Sequence, residues 1–309
     1  MRGVGAYTWL SSGYSLSASK THMATQPVTL FDIVPGKRFQ ERFTVVGPHR
    51  QGGFSTAFEV SADDREGRFE LQLFPSGLFD GAQQATEFIN GFTPWFEVDS
   101  PSVVPCIEVL DLGTEAKALI SGFPAGECLR GRRKKDAPMD PAEVVALGVG
   151  LLQGLVAIHD RNLVHGDVKP YTIHVEGQGA GLRAQLVDGG VTPGLWTAKD
   201  LGEKTALIGT PYYAPIELFG GESPDVSSDI YNVATVLYEC ATGVLPWAAT
   251  NFLQVFQAKL QDPPSMKRRA PGVQVDSELE DVIRRGMMTA QKDRYANAST
   301  FLEDLEELS

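Results

Sequence analysis

The chain has 309 residues, about twice the size of a usual single domain, so two domains or one large two-lobed unit are expected. Hydrophobic residues make up 42% and charged residues 21%, which is ordinary globular usage and excludes disordered, collagen-like and coiled-coil chains. The net charge of -12 has the wrong sign for binding a phosphate backbone, so nucleic acid is excluded as a partner class.

The cellular setting is predicted from the cysteines and from hydropathy. The three cysteines lie far apart and in no metal-ligand spacing, which favours a reducing cytoplasm over a disulfide scaffold. No stretch is expected to approach the ~18 apolar residues of a membrane helix. We therefore expect a cytoplasmic protein with no membrane segment in this chain.

The first half of the chain is predicted to be rich in strands. Residues 1–30 are expected to be a disordered leader, in which Met23 is a candidate translation start. Short runs of β-branched and aromatic residues around a Gly-Gly turn then predict an antiparallel three-stranded start. The predicted strands are Phe43–Val46, Ala57–Val60 and Phe69–Leu73, followed by a helix at Gln83–Asn90 and strands at Cys106–Leu112 and Ala116–Ile120.

The second half is predicted to be helical. Asp140 precedes Pro141 and Glu143, which is the pattern of a helix N-terminus, and apolar residues then recur as far as Ile158. This helix is expected to be largely buried. Further helices are predicted at Asp229–Thr242, Phe252–Leu260, Glu278–Met288 and Ser299–Leu308.

Five motifs occur in an order that resembles the eukaryotic-type protein kinases, in the style of bacterial Ser/Thr kinases. They are His165-Gly166-Asp167-Val168-Lys169-Pro170-Tyr171-Thr172, Asp188-Gly189-Gly190, Gly209-Thr210-Pro211-Tyr212-Tyr213-Ala214-Pro215-Ile216-Glu217, Ser228-Asp229-Ile230-Tyr231, and Arg294. The resemblance implies an α+β, bilobal protein-kinase-like fold over residues 38–309. It implies a small β-rich N-lobe (38–121), a hinge (122–126) and a larger helical C-lobe (127–309).

The resemblance also implies roles for the motif residues. Asp167 stands where the family accepts the proton of the substrate hydroxyl, and Lys169 where it neutralises the transferred phosphoryl group. Asp188 stands at the Mg²⁺-binding position. Thr172 replaces the amide that holds the second metal ion, so metal binding is expected to suffer. Glu217 and Arg294 match a buried ion pair of the large lobe.

The small lobe departs from the family pattern. In the glycine-rich loop only the middle glycine, Gly52, survives: Arg50 takes the place of the first and Ser55 that of the third, and Gly53 lies beside Gly52. Gln72 replaces the lysine that grips the α and β phosphates, and its expected helix partner is Glu87. Pro124 stands where the hinge donates an N–H to adenine, which leaves the Gly122 carbonyl. Gly189 replaces the phenylalanine after Asp188, which is expected to loosen the activation segment.

Two functions remain open on these residues. The first is a pseudokinase, a binding, scaffolding or regulatory module in signalling that binds ATP and Mg²⁺ weakly if at all and acts through a protein partner. The alternative is an active atypical Ser/Thr kinase that transfers the ATP γ-phosphate to protein hydroxyls, with Arg50 replacing the missing lysine. The losses in the small lobe favour the first function, and the retained Asp167, Lys169 and Asp188 favour the second.

Overall fold

The structure is a computed structural model that describes residues 33–113, 116–200 and 211–308. The predicted leader and the Gly209-Thr210 part of the third motif lie outside these residues. Within them the chain forms a β-sheet lobe followed by a helical lobe, which confirms the predicted bilobal α+β fold.

The small lobe is built on an antiparallel six-stranded sheet with strand order β1-β2-β3-β4-β6-β5. All five predicted strands are confirmed, and a two-residue edge strand is added in front of them. The predicted helix α1 is also present. The elements are β1 (Arg38–Phe39), β2 (Phe43–Gln51), β3 (Thr56–Ala62), β4 (Phe69–Phe74), α1 (Ala82–Asn90), β5 (Cys106–Asp111) and β6 (Lys117–Gly122).

The register of this sheet brings three polar side chains to one face. Arg50 of β2 pairs with Ala57 of β3, and Ala57 pairs with Gln72 of β4. Directly opposed residues of antiparallel strands share a face, and so do residues two apart on one strand. Arg50, Gln72 and Glu70 therefore lie on the same face, while Leu71 points to the opposite face, into the core of the small lobe.

The large lobe is organised around two long helices, α3 and α6. Asp140 caps α3 as predicted, because its side chain accepts a hydrogen bond from the N–H of Ala142 and Pro141 occupies the first turn. The elements are β7 (Glu127–Cys128), α2 (Leu129–Arg132), α3 (Pro141–His159), β8 (Ile173–Glu176), β9 (Arg183–Leu186), α4 (Val191–Ala198), α5 (Ile216–Phe219), α6 (Val226–Thr242), α7 (Phe252–Lys259), α8 (Met266–Arg269), α9 (Ser277–Gly286) and α10 (Ala298–Glu306).

Helix α3 corrects the statement that no stretch approaches the length of a membrane helix. Among the described residues it is the one helix that is long and apolar enough to cross a membrane by length and composition. Of its apolar 18-residue stretch, 56% is buried inside the protein. Core helices of soluble proteins pass the same test.

Helix α4 was not predicted from the sequence. It follows directly on Asp188-Gly189-Gly190 and contains Pro193 and Gly194, which are usually turn residues. Pro193 is tolerated because it lies in the first turn, where its missing N–H has no helical partner. Gly194 lies against Phe88 of α1: an added Cβ would be 3.3 Å from that ring. Packing between α4 and α1 thus overrides the local preference for a turn.

Candidate active site

A cavity of about 560 Å³ lies between the two lobes. It brings together eight of the ten predicted site residues: Arg50, Gly52, Gly53, Gln72, Asp167, Lys169, Thr172 and Asp188. The other two, Gly122 and Pro124 of the predicted hinge, do not line it. The eight residues predicted from the glycine-rich loop, β4 and the large-lobe motifs therefore line one cleft, whereas the two predicted hinge residues lie outside its lining.

Asp229 of α6 holds the loop that carries Asp167 and Lys169. Its fully buried carboxylate accepts hydrogen bonds from the backbone N–H groups of His165 and Gly166, both at 2.8 Å, and from His159 Nε2 at 3.0 Å. His165 donates from Nε2 to the Val187 carbonyl and accepts at Nδ1 from the N–H of Asp167. These contacts assign the Nε2–H tautomer of His165 and fix the backbone of the loop.

Asp167 and Lys169 form an ion pair that faces the cavity. The Lys169 ammonium contacts Oδ2 of Asp167, and both side chains are mostly buried. The Thr172 hydroxyl is engaged by the loop itself. It lies 2.9 Å from the Asp167 carbonyl and accepts a hydrogen bond from the N–H of Lys169. A hydroxyl engaged in this way braces the loop, and it contributes no contact to Asp188 in the described structure.

Arg50 is the central cation of the cleft. Its guanidinium binds both oxygens of Asp188, at 2.5 and 2.6 Å, and both oxygens of Glu70, at 2.5 and 2.8 Å. The Glu70 side chain is 3% exposed and that of Asp188 15%. Arg50 therefore ties β2 and β4 of the small lobe to Asp188 of the large lobe.

The charges in this cluster stabilise one another. Burial alone would raise the pKa of Asp188, but the charge and hydrogen bonds of Arg50 outweigh burial and lower it. Burial likewise opposes the charged form of Arg50, yet Asp188 and Glu70 together raise the pKa of its guanidinium. Arg50 and Asp188 consequently both stay ionised through the physiological pH range.

Gln72 and Glu87 do not form the pair that the family pattern predicts. The Gln72 amide donates to Ser55 Oγ at 2.8 Å and to Asp188 Oδ1 at 2.9 Å. Glu87 is exposed on α1, where its carboxylate accepts from the side chain of Gln83. The expectation for Glu87 is therefore wrong, and Glu70 is the buried anion. A charged residue in a largely apolar strand, two residues before Gln72, was the available signal.

Aromatic side chains narrow the cleft beside Phe123, a residue of the predicted hinge. His49 of β2 packs on Phe123, with ring centroids 4.3 Å apart, and its Nδ1 lies 2.6 Å from the Glu70 carboxylate. Across the cleft, the ring of His174 is 5.9 Å from that of His49. A flat base between two rings needs about 7 Å, twice a van der Waals contact of about 3.5 Å. The rings therefore leave too little room for a base between them.

His174 gives the cleft a pH-dependent stability. It is 4% exposed, and neither ring nitrogen has a hydrogen-bond partner in the described part of the chain. Burial, assisted by the charge of Arg50, lowers the pKa of His174 to about 4. The unfolded state therefore binds more protons than the folded state between about pH 4 and 6.5, so stability falls as the pH drops through that range.

We expect His174→Leu to remove this contribution. The free energy of unfolding of the wild type should fall relative to the variant by up to ~1.4 kcal/mol per pH unit between pH 6.5 and 4. Urea unfolding of both proteins at several pH values measures the difference. Parallel pH profiles would show that His174 does not titrate in this way.

Trp95 occupies the space next to Gly189 and Gly190. It lies in a 3₁₀ turn at Thr93–Glu97 and is 5% exposed. An added Cβ on either glycine would be 2.4 Å from the Trp95 ring. The residues that directly follow Asp188 are thus packed against an aromatic side chain of the small lobe, which fills the space expected to be left by the missing phenylalanine.

Because Trp95 fills the space that a side chain at position 189 would need, substitutions at these two positions should be energetically coupled. Gly189→Phe should destabilise the wild type by ~1–3 kcal/mol through overpacking, and Trp95→Ala should cost ~3–5 kcal/mol through the cavity it leaves. The double variant should be more stable than the sum by ~1–3 kcal/mol, measured by urea unfolding. Gly181→Phe, at a glycine with open space around it, is the control and should add to Trp95→Ala without coupling. Additivity at Gly189 would contradict the packing.

Comparisons with known proteins agree with this geometry. The protein kinase domain family matches residues 51–304, which is most of the chain. The chain belongs to the protein kinase family. Among its relatives are the serine/threonine-protein kinases PknB of Mycobacterium leprae, 28% identical over 67% of this chain, and pkn3 of Myxococcus xanthus, 29% identical over 89%. The aligned region covers only part of these relatives: 33% of the length of PknB and 51% of the length of pkn3.

Solved structures support the same fold. The crystal structure of the Mycobacterium tuberculosis PknI kinase domain superposes with a TM-score of 0.66 at 18% sequence identity. The similarity covers 89% of this chain and 99% of that domain. At this level of identity the similarity establishes the kinase fold and carries no residue roles.

Proposed function

We propose that this kinase-family chain is a pseudokinase, a binding, scaffolding or regulatory module in which ATP·Mg²⁺ binding is weak or absent. One observation carries the proposal: the guanidinium of Arg50 engages both oxygens of Asp188, the carboxylate that would have to ligate Mg²⁺. The family uses ATP and Mg²⁺, but the cleft residues as arranged here do not fit them.

The competition between Arg50 and a metal ion can be judged from the contacts. Mg²⁺ requires carboxylate oxygen at close range, and Asp188 Oδ1 is additionally held by Gln72. Arginine is always protonated and matches a carboxylate bidentately, so it does not leave by losing its proton. Withdrawing it would leave the buried carboxylate of Glu70 with His49 in place of a charged guanidinium, and breaking a buried pair on one side costs ~3–5 kcal/mol.

Two further features support the same proposal. The His49 and His174 rings stand too close for a base between them. Helix α4 packs against α1 through Gly194 and Phe88, while Glu87 of α1 faces solvent. The family's ion pair would join a lysine on β4 to a glutamate on α1. Here β4 lacks the lysine, and the glutamate of α1 does not face inward.

The alternative, an active atypical Ser/Thr kinase, has its own supporting observation. The Arg50–Glu70 pair supplies a buried cation close to the place of the missing lysine, and Asp167 with Lys169 faces the same cavity. On this reading Arg50 would turn from Asp188 towards phosphate. The names of the relatives, which are serine/threonine-protein kinases, agree with either reading of this chain.

The experiment that tests the proposal is nucleotide-dependent stabilisation. Ligand present at 100 times its dissociation constant stabilises a protein by ~2.7 kcal/mol, which a thermal melt detects readily. We expect millimolar ATP with Mg²⁺ to leave the melting temperature within about 1 °C of that of the free protein. A Ser/Thr kinase domain that retains the lysine serves as the positive control. A shift that corresponds to micromolar affinity would reject the proposal.

The biological role proposed with it is the binding of protein partners in signalling. A kinase fold without turnover acts by presenting its surfaces, and this fold keeps its large lobe intact. The three cysteines are unpaired, which is consistent with the proposed cytoplasmic setting.

A further inference from the structure

A second, larger depression lies on the large lobe, and we refer to it as the α3 groove. Its volume is about 1060 Å³, and it shares no lining residue with the cleft between the lobes. Helix α3, the start of β9, the N-terminus of α9 and the end of α10 enclose it. Its apolar floor comprises Val145, Ala146, Val149, Leu182, Leu279 and Leu308.

The face that α3 turns towards the groove is unusually apolar for a helix surface. Apart from Gln153, the exposed or half-buried α3 residues that line the groove are apolar: Pro141, Ala142, Ala146 and Val149. A helix at a protein surface normally carries polar residues on its solvent side, and contiguous exposed apolar area marks an interaction site. The apolar composition of α3 thus extends to a face that no other part of the described chain covers.

The edge of the groove carries mostly negative charge. Asp276 and Glu278 at the start of α9, and Glu306 and Glu307 at the end of α10, all line it and are exposed. The cation among the lining residues, Arg183, is paired with Glu176 at 2.7 Å. The rim therefore presents a negative potential beside an apolar floor.

We propose that the α3 groove binds a cationic amphipathic helix of a partner protein. Leucine-like side chains would enter the floor, and lysine or arginine on the flanks would meet the carboxylates of Asp276, Glu278 and Glu307, which is the helix-in-groove mode of recognition. With a helix diameter of about 10 Å, the volume corresponds to roughly nine residues, or two to three turns. A second copy of this chain fits the rim poorly, because its net charge is -12.

The test uses three synthetic 18-residue peptides and the full chain. The first has Leu at helical i, i+3, i+4 and i+7 positions with Lys elsewhere, the second is a scrambled sequence of identical composition, and the third replaces every Lys by Glu. Fluorescence anisotropy should give at least tenfold tighter binding for the first peptide than for the scrambled one, no binding for the acidic one, and weaker binding at high salt. Equal affinity for the first and scrambled peptides would overturn the proposal, since charge alone would then explain binding.

Variants locate the binding in the groove. Ala146→Arg places a bulky cation on the floor and should abolish binding, with Ala157→Arg as the control on α3 outside the groove. Glu278→Gln with Glu307→Gln should weaken binding at least fivefold, whereas Glu222→Gln with Glu303→Gln, which removes equal charge outside the groove, should leave it unchanged. Melting curves verify that each variant is folded.

Two outcomes would overturn the inference. One is unchanged affinity in both the Ala146→Arg variant and the Glu278/Glu307 double variant. The other is concentration-dependent self-association in sedimentation that Ala146→Arg abolishes, because the groove would then be covered by a second copy. Neither readout involves nucleotide, so this inference and the pseudokinase proposal can fail separately.

Discussion

Arg294→Ala is expected to lower the free energy of unfolding by ~3–5 kcal/mol, which corresponds to a fall in melting temperature of roughly 6–20 °C. The Arg294 side chain is fully buried and binds both oxygens of Glu217, at 2.6 and 3.0 Å. It also donates to the carbonyls of Met288 and Thr289. The variant would leave the Glu217 carboxylate, the helix α5 that carries it, and two loop carbonyls without their partner.

The control for this prediction is an arginine in an exposed pair. Arg183 contacts Glu176 at the surface, and both side chains are at least half exposed. Pairs of this kind contribute ~0–1 kcal/mol, so Arg183→Ala should change stability little. Urea unfolding followed by circular dichroism compares the two variants. Near-wild-type stability of Arg294→Ala would mean that the pair does not hold the large lobe together.

The double variant Arg50→Gly with Gln72→Lys is expected to bind ATP·Mg²⁺ at least tenfold more tightly than the wild type. It moves the cation from β2 to the family's position on β4, preserves the charge next to Glu70, and restores the first glycine of the loop. Asp188 then faces a flexible ammonium in place of a bidentate guanidinium, so its oxygens become accessible to a metal ion. Isothermal titration calorimetry measures the affinity of each protein.

The single variant separates the two causes of weak binding. Gln72→Lys alone adds a second cation beside Arg50, which still holds Asp188, so we expect less than a threefold gain in affinity. If Gln72→Lys alone recovered the whole gain, the missing lysine would be the sole defect and the grip of Arg50 on Asp188 would be irrelevant. If the double variant showed no gain in affinity, the close approach of the His49 and His174 rings would be the cause of weak binding.

Most of the fold follows from local sequence patterns. The strands at Phe43–Gln51 and Phe69–Phe74 are marked by β-branched and aromatic runs, and α3 by its Asp-Pro start and apolar periodicity. The motif around Asp167 and Lys169 locates the large-lobe side of the site because it lies in one contiguous loop. In each case the controlling interactions are close in sequence.

The remainder depends on contacts between distant residues. Arg50 and Asp188 are 138 positions apart, and the sequence gives the identity of the arginine but not the direction of its side chain. Similarly, Trp95 fills the space beside Gly189, and Phe88 stabilises a helix at a Pro-Gly pair. The contact between His49 and His174 arises from the approach of the two lobes. Patterns within a short window carry no information on such pairings.

The most direct measurement of the central claim is phosphate incorporation from labelled ATP by the wild type and by Asp167→Asn. The proteins are incubated with Mg²⁺ or Mn²⁺, and label is read both on the chain itself and on a generic basic protein substrate. Asp167→Asn removes the carboxylate that would accept the hydroxyl proton while keeping the shape of the side chain. With Arg50 on Asp188, we predict that the wild type incorporates no more label than Asp167→Asn. Incorporation by the wild type that disappears in Asp167→Asn would contradict the pseudokinase proposal and establish an active kinase.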